Sequence, residues 1–202
     1  MYRYRMPVRP ARDDLGHRTP IDGLPMTYVQ YLSLPEGSGY NLLDGLLFRD
    51  PAPTVDHQVI VDNILALLRH YARATGAGRA LREIDVHLDE DNTPVPDVCF
   101  VTAERRGCLD RRGLHGIAPD LCVEVLSPIS VRRDRGEKAL LYARHSCREY
   151  WMVQPEGLRV EVFRSSVEGN FVPAGTFGLG ETLASAALPD LRVAVAGVFA
   201  EG

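Results

Sequence analysis

The strongest periodic signal in the chain runs from Asp56 to about Thr75, where Ile60, Val61, Ile64, Leu65, Leu68 and Tyr71 recur at three- and four-residue spacing. That period gathers them on one face of a helix, which Gly76 and Gly78 stop. Ahead of it, Thr27 is an N-cap for a short helix over Tyr28 to Leu34, closed by Pro35 and the turn Glu36-Gly37-Ser38-Gly39. Tyr40 to Leu43 and Leu46 to Phe48 read as a hairpin, because Asp44-Gly45 supplies the positive φ angles of a tight turn. Pro51 and Pro53 end it.

Beyond the helix, Glu83 to Leu88 alternates polar with apolar positions, as a half-buried strand does. Pro96 to Val101 and Leu121 to Leu126 are more continuously apolar, as central strands are. Between these two, Thr102 to Pro119 reads as a polar loop with a helical turn. Arg132 to His145 reads as a helix, and Glu149 to Val153 and Leu158 to Arg164 as paired strands around Pro155-Glu156-Gly157. Phe171 to Thr176 reads as an edge strand, and Leu188 to Ala200 as a short strand with a helical cap. This order predicts an α/β (α+β) architecture, a mixed central sheet with helices packed on its faces.

Composition narrows the picture. The 202 residues, 45% hydrophobic and 25% charged, suit an ordinary globular protein. Residues 1–25, rich in Arg, Pro and Asp without period, read as a poorly ordered extension, and 26–202 as a single domain. Apolar runs such as Ala194 to Ala200 fall far short of the roughly 20 residues that cross a bilayer. The basic N-terminus lacks the apolar stretch of a secretory signal, so the expected location is the cytoplasm, with no membrane. Cys99, Cys108, Cys122 and Cys147 show no zinc spacing. Gly76-Ala77-Gly78 follows a helix and lacks the third glycine of a dinucleotide loop, and neither a Walker lysine motif nor a nucleophile elbow occurs. A net charge of -4 argues against a protein that coats nucleic acid by bulk electrostatics, although Arg105-Arg106, Arg111-Arg112 and Arg132-Arg133 with Arg135 form local basic clusters.

Two carboxylates interrupt or abut apolar strands. Asp97 opens the run Pro96 to Val101, and Glu124 sits in the middle of Leu121 to Leu126. A carboxylate inside a buried strand costs several kcal/mol unless a cation or hydrogen-bond donors meet it. If the two strands are neighbours, side-chain alternation can place both acids on one face, where their repulsion favours a divalent ion between them, Mg²⁺ or Mn²⁺. On the following helix Asp134, Lys138 and Tyr142 are four apart and line a single face, so Lys138 can complete the group. The same residues also admit a structural reading: Glu124 paired with an Arg or Lys in the core, and Asp134–Lys138 as a surface pair.

The segments Pro96-Asp97-Val98, Pro119 to Pro128 with its Val123-Glu124-Val125-Leu126-Ser127-Pro128 core, Asp134 to Lys138 with Tyr142-Ala143, and Glu149-Tyr150-Trp151 together resemble the Uma-type family of bacterial putative restriction endonucleases. So does Tyr40-Asn41-Leu42-Leu43-Asp44-Gly45 followed by His57 at a helix start. The likeness runs from about Met26 to Phe199. It implies a restriction-endonuclease-like fold of the PD-(D/E)xK class, with Asp97 and Glu124 as the acidic motifs and catalytic metal ligands. The lysine, two residues after the second acid in the parent pattern, is replaced there by Leu126; the resemblance implies Lys138 in its role from a displaced position. The family's usual Glu in the Tyr-x-Leu-x-Asp-Gly segment is Asn41 here, which removes one anion from the implied metal site. Supporting candidates are Asn41, His57, Ser127, Asp134 and Tyr142; His57 reads as a packed, hydrogen-bonded histidine and Ser127 equally as the polar stop before Pro128.

The function expected is Mg²⁺-dependent endonucleolytic hydrolysis of DNA phosphodiesters, with two-fold pairing into a homodimer by analogy with enzymes that cut both strands. Two other readings stay open: a nuclease-like module that binds nucleic acid or a protein partner without cutting, and a structural homodimer in which Glu124 and Lys138 form a buried pair.

Overall fold

The computed structural model describes residues 23–201 except 36, 38, 51 and 129. The expected N-terminal extension lies outside the described residues save for its last three, and of these Leu24–Pro25 (β1) already pair with the third strand. Thr27 caps helix α1 (Tyr28–Tyr31) through a reciprocal box with Gln30, and the chain then leaves the helix three residues before the expected Leu34. The hairpin β2 (Tyr40–Leu43) and β3 (Leu46–Arg49) forms as the Asp44-Gly45 signal requires, with φ of 49° and 71° at those two residues. Helix α2 (Val55–Thr75) follows, capped by Thr54 and ended by Gly76 in the left-handed conformation.

The expected strand over Glu83 to Leu88 shortens to its middle, and a strand that the sequence pattern does not announce lies ahead of it. β4 (Gly78–Arg82) precedes it and joins the main sheet, while β5 (Asp85–His87) pairs in parallel with β7 (Gly113–His115) outside that sheet. β4 is disguised because it opens on the glycine that seems to belong to the helix stop. β6 (Val98–Thr102), a 3-10 turn over Ala103–Cys108, and β8 (Leu121–Val125) come next. The helix expected after Pro128 is one rod in three parts: α3 (Val131–Arg133), a π turn (Asp134–Lys138) and α4 (Ala139–Arg144). β9 (Glu149–Gln154), β10 (Arg159–Ser165), β11 (Phe171–Gly178), the small pair β12 (Thr182–Ala184) with β13 (Arg192–Ala194), and α5 (Val195–Val198) complete the described chain.

The main sheet runs β11-β10-β9-β8-β6-β4, antiparallel throughout except for the parallel pair β8–β9. Parallel neighbours need a crossover, and the α3–α4 rod is that crossover, so it must lie across one face of the sheet. Alternation then sorts the strand residues. Val98, Phe100, Leu121, Val123 and Val125 pack beneath α2 with Ile60, Ile64 and Leu68. Val101, Cys122, Tyr150 and Met152 pack on the other face with Leu141 and Tyr142. Glu124 shares the parity of Cys122, so it faces the rod.

Candidate active site

Asp97 and Glu124 meet because β6 and β8 are antiparallel neighbours. Val98 opposes Val123, so the next pair outward is Asp97 with Glu124. The two interlock through the backbone. The Val125 N–H donates to Asp97 Oδ2 at 2.7 Å, and the Asp97 N–H approaches Glu124 Oε2 at 3.4 Å. Asp97 is partly open to solvent, its side chain 22% exposed, whereas Glu124 retains 2%.

The rod supplies what Glu124 lacks. Lys138 Nζ lies 3.2 Å from Glu124 Oε1 and donates to Val95 O at 3.1 Å, and the Tyr142 hydroxyl donates to Glu124 Oε1 at 3.2 Å. Asp134 Oδ1 stands 3.5 Å from the same ammonium. The sequence spacing therefore places Asp134, Lys138 and Tyr142 on one inward side, although the turn that carries the first two is a π turn, a form often found at functional sites. The Asp134–Lys138 pair is buried, not the surface pair that its spacing also allows.

His57, at the start of α2, reaches Asp97 Oδ2 with Nε2 at 3.3 Å. Burial alone would lower its pKa, but the hydrogen bond and charge of Asp97 outweigh that and raise it. Ser127 does not join the cluster among the contacts found: its hydroxyl bonds Ser130 Oγ at 3.0 Å and accepts from the Ser130 N–H at 3.0 Å, fastening the turn before α3. Asn41 is buried on β2, with Oδ1 accepting from the Val95 N–H at 2.8 Å and Nδ2 donating to Asp50 Oδ2 at 2.7 Å.

Asp50 is the residue that sequence reasoning missed. It sits just past β3, accepts from Arg133 at 3.2 Å and lies 3.7 Å from Lys138 Nζ. No local pattern marks it, since Arg49-Asp50-Pro51 reads as an ordinary strand exit. A signal existed only in three dimensions, through its contact with the rod.

Glu124, Asp134 and Asp50 thus surround one ammonium, with Arg133 on Asp50 and Asp97 interlocked with Glu124. Burial pushes the Glu124 carboxyl well up from its ordinary value; Lys138 opposes that, while Asp134, Asp97 and Asp50 add to it. Burial works against the charge of Lys138, yet Glu124, Asp134, Asp50 and Asp97 together raise its pKa, so it is an ammonium at neutral pH. Asp134 is likewise pushed up, by burial first. These groups line a cleft of about 1640 Å³ that is also lined by Tyr28, His87, Arg111, Arg112 and His115. Among the described residues no three His, Cys, Asp or Glu side chains are gathered as a ready-made metal site, and no helix is long and apolar enough to cross a membrane.

Comparison with known proteins bears on the fold and the family. One solved structure, described as a putative nuclease belonging to DUF820 from Anabaena variabilis, shares 20% identity and a TM-score of 0.72, covering 87% of this chain and 98% of that one. A second, the type IIG restriction endonuclease BpuSI, is far more distant at 15% identity and a TM-score of 0.40, covering 74% of this chain and 16% of that one. No curated protein matches. The mixed six-stranded sheet flanked by helices is the restriction-endonuclease-like fold that the sequence predicted. A family model described as "Putative restriction endonuclease" matches residues 28–196, and the chain belongs to that family, Uma2.

Proposed function

We propose that this protein is a Mg²⁺- or Mn²⁺-dependent endonuclease that hydrolyses DNA phosphodiester bonds, with Asp97 and Glu124 as metal ligands and Lys138 as the cation beside the phosphate. One observation carries the reading: Asp97 and Glu124 interlock at the ends of adjacent strands and line a cleft, with Lys138 Nζ 3.2 Å from the buried acid.

The donor set suits a hard divalent cation. Asp50, Glu124 and Asp134 lie against Lys138, Arg133 reaches Asp50, and Asp97 stands beside Glu124, so carboxylates outnumber the Lys and Arg cations among them. The buried Asp134 Oδ1 accepts no hydrogen bond and has the Lys138 ammonium at 3.5 Å. Mg²⁺ is characteristically held by one or two carboxylates and keeps several waters, so a third side-chain ligand is not required. When bound, such an ion supplies Lewis-acid stabilisation of the phosphoryl oxygens and a more acidic water.

The chain's own residues do the rest. Lys138, whose pKa the surrounding carboxylates raise, serves as the cation that stabilises charge developing on the phosphoryl oxygens. Tyr142, whose hydroxyl burial and Glu124 keep neutral, holds Glu124 in place by donation. His57 fixes Asp97 from the α2 side. In the reaction water adds to phosphorus, loses a proton, and the bond to the leaving sugar oxygen breaks as that oxygen gains one.

A second reading has its own support. Glu124 and Lys138 are each 2% exposed, and both Glu124 oxygens already have donors, as a resting ion pair would. On that reading the protein binds nucleic acid or a protein partner without cutting, or serves as a structural homodimer. Supercoiled plasmid and single-stranded DNA incubated with Mg²⁺, with Mn²⁺ and with chelator separate these. Metal-dependent nicking that Asp97→Ala and Lys138→Ala both abolish supports the enzyme; binding without nicking supports the module, and neither supports the structural role.

A further inference from the structure

The cleft is larger than its acids and Lys138 require. At about 1640 Å³ it exceeds the roughly 300–1,000 Å³ of pockets that enclose a small ligand, so it suits a length of polymer. Two of its lining side chains, Tyr28 and His87, form a stack, with ring centroids 3.5 Å apart and planes 8° from parallel. His115 stands against His87 at 5.9 Å and 71°. The three rings come from three elements: Tyr28 opens α1, while His87 and His115 are paired residues at the ends of β5 and β7. All three are only half-buried. The Tyr28 hydroxyl has no hydrogen-bond partner among the described residues, whereas that of Tyr31, one turn on, is bonded to Tyr40 O and Asp85.

Two cations share this part of the cleft. Arg111 and Arg112 are exposed, and neither guanidinium has a partner among the described residues. The neighbouring carboxylate, Asp110, is taken up elsewhere: it accepts from the N–H groups of Arg112 at 2.7 Å and Gly113 at 3.1 Å, and lies 3.1 Å from His115 Nε2. Asp110 thus fixes the turn that carries the arginines. Burial and Asp85 raise the pKa of Tyr28, and the charge of Arg112 opposes them, which puts that cation beside the rings.

We infer that Tyr28 and His87 form a stacking platform for an unpaired base, with Arg111 and Arg112 on the phosphates beside it, so that the cleft takes single-stranded or locally unpaired DNA. The inference rests on the proposed reading of the cleft as the place where a DNA strand lies. A base inside a duplex has both faces covered by its neighbours and has none to offer a protein ring. An unpaired base does, and a ring accepts every base because each has a π face, while the cations follow the backbone. Burial and His115 hold the His87 imidazole below its ordinary pKa, so at neutral pH the platform presents ring faces.

The test is fluorescence anisotropy in Ca²⁺, with thermal unfolding as the control for folding. The probes are an oligothymidylate of about ten nucleotides, a chain of abasic deoxyribose phosphates of equal length, and a blunt duplex. The parent is expected to bind the oligothymidylate on the order of tenfold more tightly than the abasic chain, the effect of stacking one base. Tyr28→Leu, which keeps apolar bulk without a π face, loses that preference and changes duplex affinity by less than about twofold; Tyr28→Phe keeps the preference. Should Tyr28→Leu not fold, the two single-stranded probes on the parent carry the test, and equal affinity for them overturns the inference. Parent-like preference in folded Tyr28→Leu and His87→Leu also overturns it, because the base then lies elsewhere. Metal-dependent nicking that Asp97→Ala abolishes would leave the nuclease reading standing in either case. A parent that binds none of the three probes removes both.

Discussion

Lys138 concentrates the energetics of the site. Its ammonium reaches Val95 O and Glu124 within 3.3 Å, and its removal strands two buried acids. Lys138→Met, close in volume, is therefore expected to destabilise the fold by about 3–5 kcal/mol, the usual cost of breaking one side of a buried pair, as read from urea unfolding at pH 7. The penalty has a definite pH dependence. Glu124 is already raised above 4.5 in the folded protein, and losing Lys138 raises it further. A group with a raised folded pKa binds more protons folded than unfolded, so its contribution to stability is present at low pH and is lost as pH rises. The gap between Lys138→Met and the parent should thus narrow from pH 7 to pH 5; a constant gap would show that Glu124 is not the group left exposed to the loss. Glu124, Lys138 and Tyr142 were legible in the sequence because polar residues at buried positions need partners. Asp50 and the Val95 peptide were not, since a carboxylate past a strand end and a backbone carbonyl carry no pattern of their own.

Elements were read from the sequence where one periodicity dominated and misread where close backbone approach decided. α2 shows an unbroken apolar stripe, and its ends fall within a residue of expectation. β4 gave no such signal, because what it needs at its first residue is the absence of a side chain. A Cβ on Gly78 would stand 2.2 Å from Val101 O and 2.8 Å from Thr102 Cα, both backbone atoms of the adjoining strand, so no rotamer change relieves the overlap. Gly78→Ala is expected to cost about 1–3 kcal/mol or more, as forced overpacking does, measured by thermal unfolding. Gly76→Ala at the end of α2 meets no atom within 4 Å but forces a side chain into φ 69°, for which about 1 kcal/mol is the expected cost. Equal losses at the two glycines would show that crowding of β4 is not what requires Gly78. The rod between β8 and β9 carries the pattern of a plain helix, and nothing in Asp134-Arg135-Gly136-Glu137-Lys138 announces the π turn.

At the scale of the whole molecule, charge is distributed against the cleft's proposed task. A chain of net charge -4 lines the cleft with Asp50, Asp97, Glu124 and Asp134, which repel a phosphodiester, and with Arg111 and Arg112. Fold class and the pairing of Asp97 with Glu124 followed from the sequence because they depend on strand adjacency and parity alone. The cleft did not, because it is bounded by β5, β7 and α1, whose packing no periodicity specifies. On the proposed reading, DNA association is weak without a divalent ion and strengthens with one that neutralises those carboxylates, Ca²⁺ serving as a probe that need not support cleavage. Each phosphate neutralised by a basic side chain contributes about 0.9 to the slope of log affinity against log salt. If Arg111 and Arg112 each hold one phosphate, replacing both by alanine should reduce that slope by about 2 for duplex DNA, measured by fluorescence anisotropy in Ca²⁺ between 50 and 200 mM salt, roughly the range over which such slopes are resolved. The affinity loss should be uniform across sequences, since contacts to phosphate position the strand without reading its bases. An unchanged slope would mean that the strand enters on another side, and with it that Arg111 and Arg112 do not face the substrate.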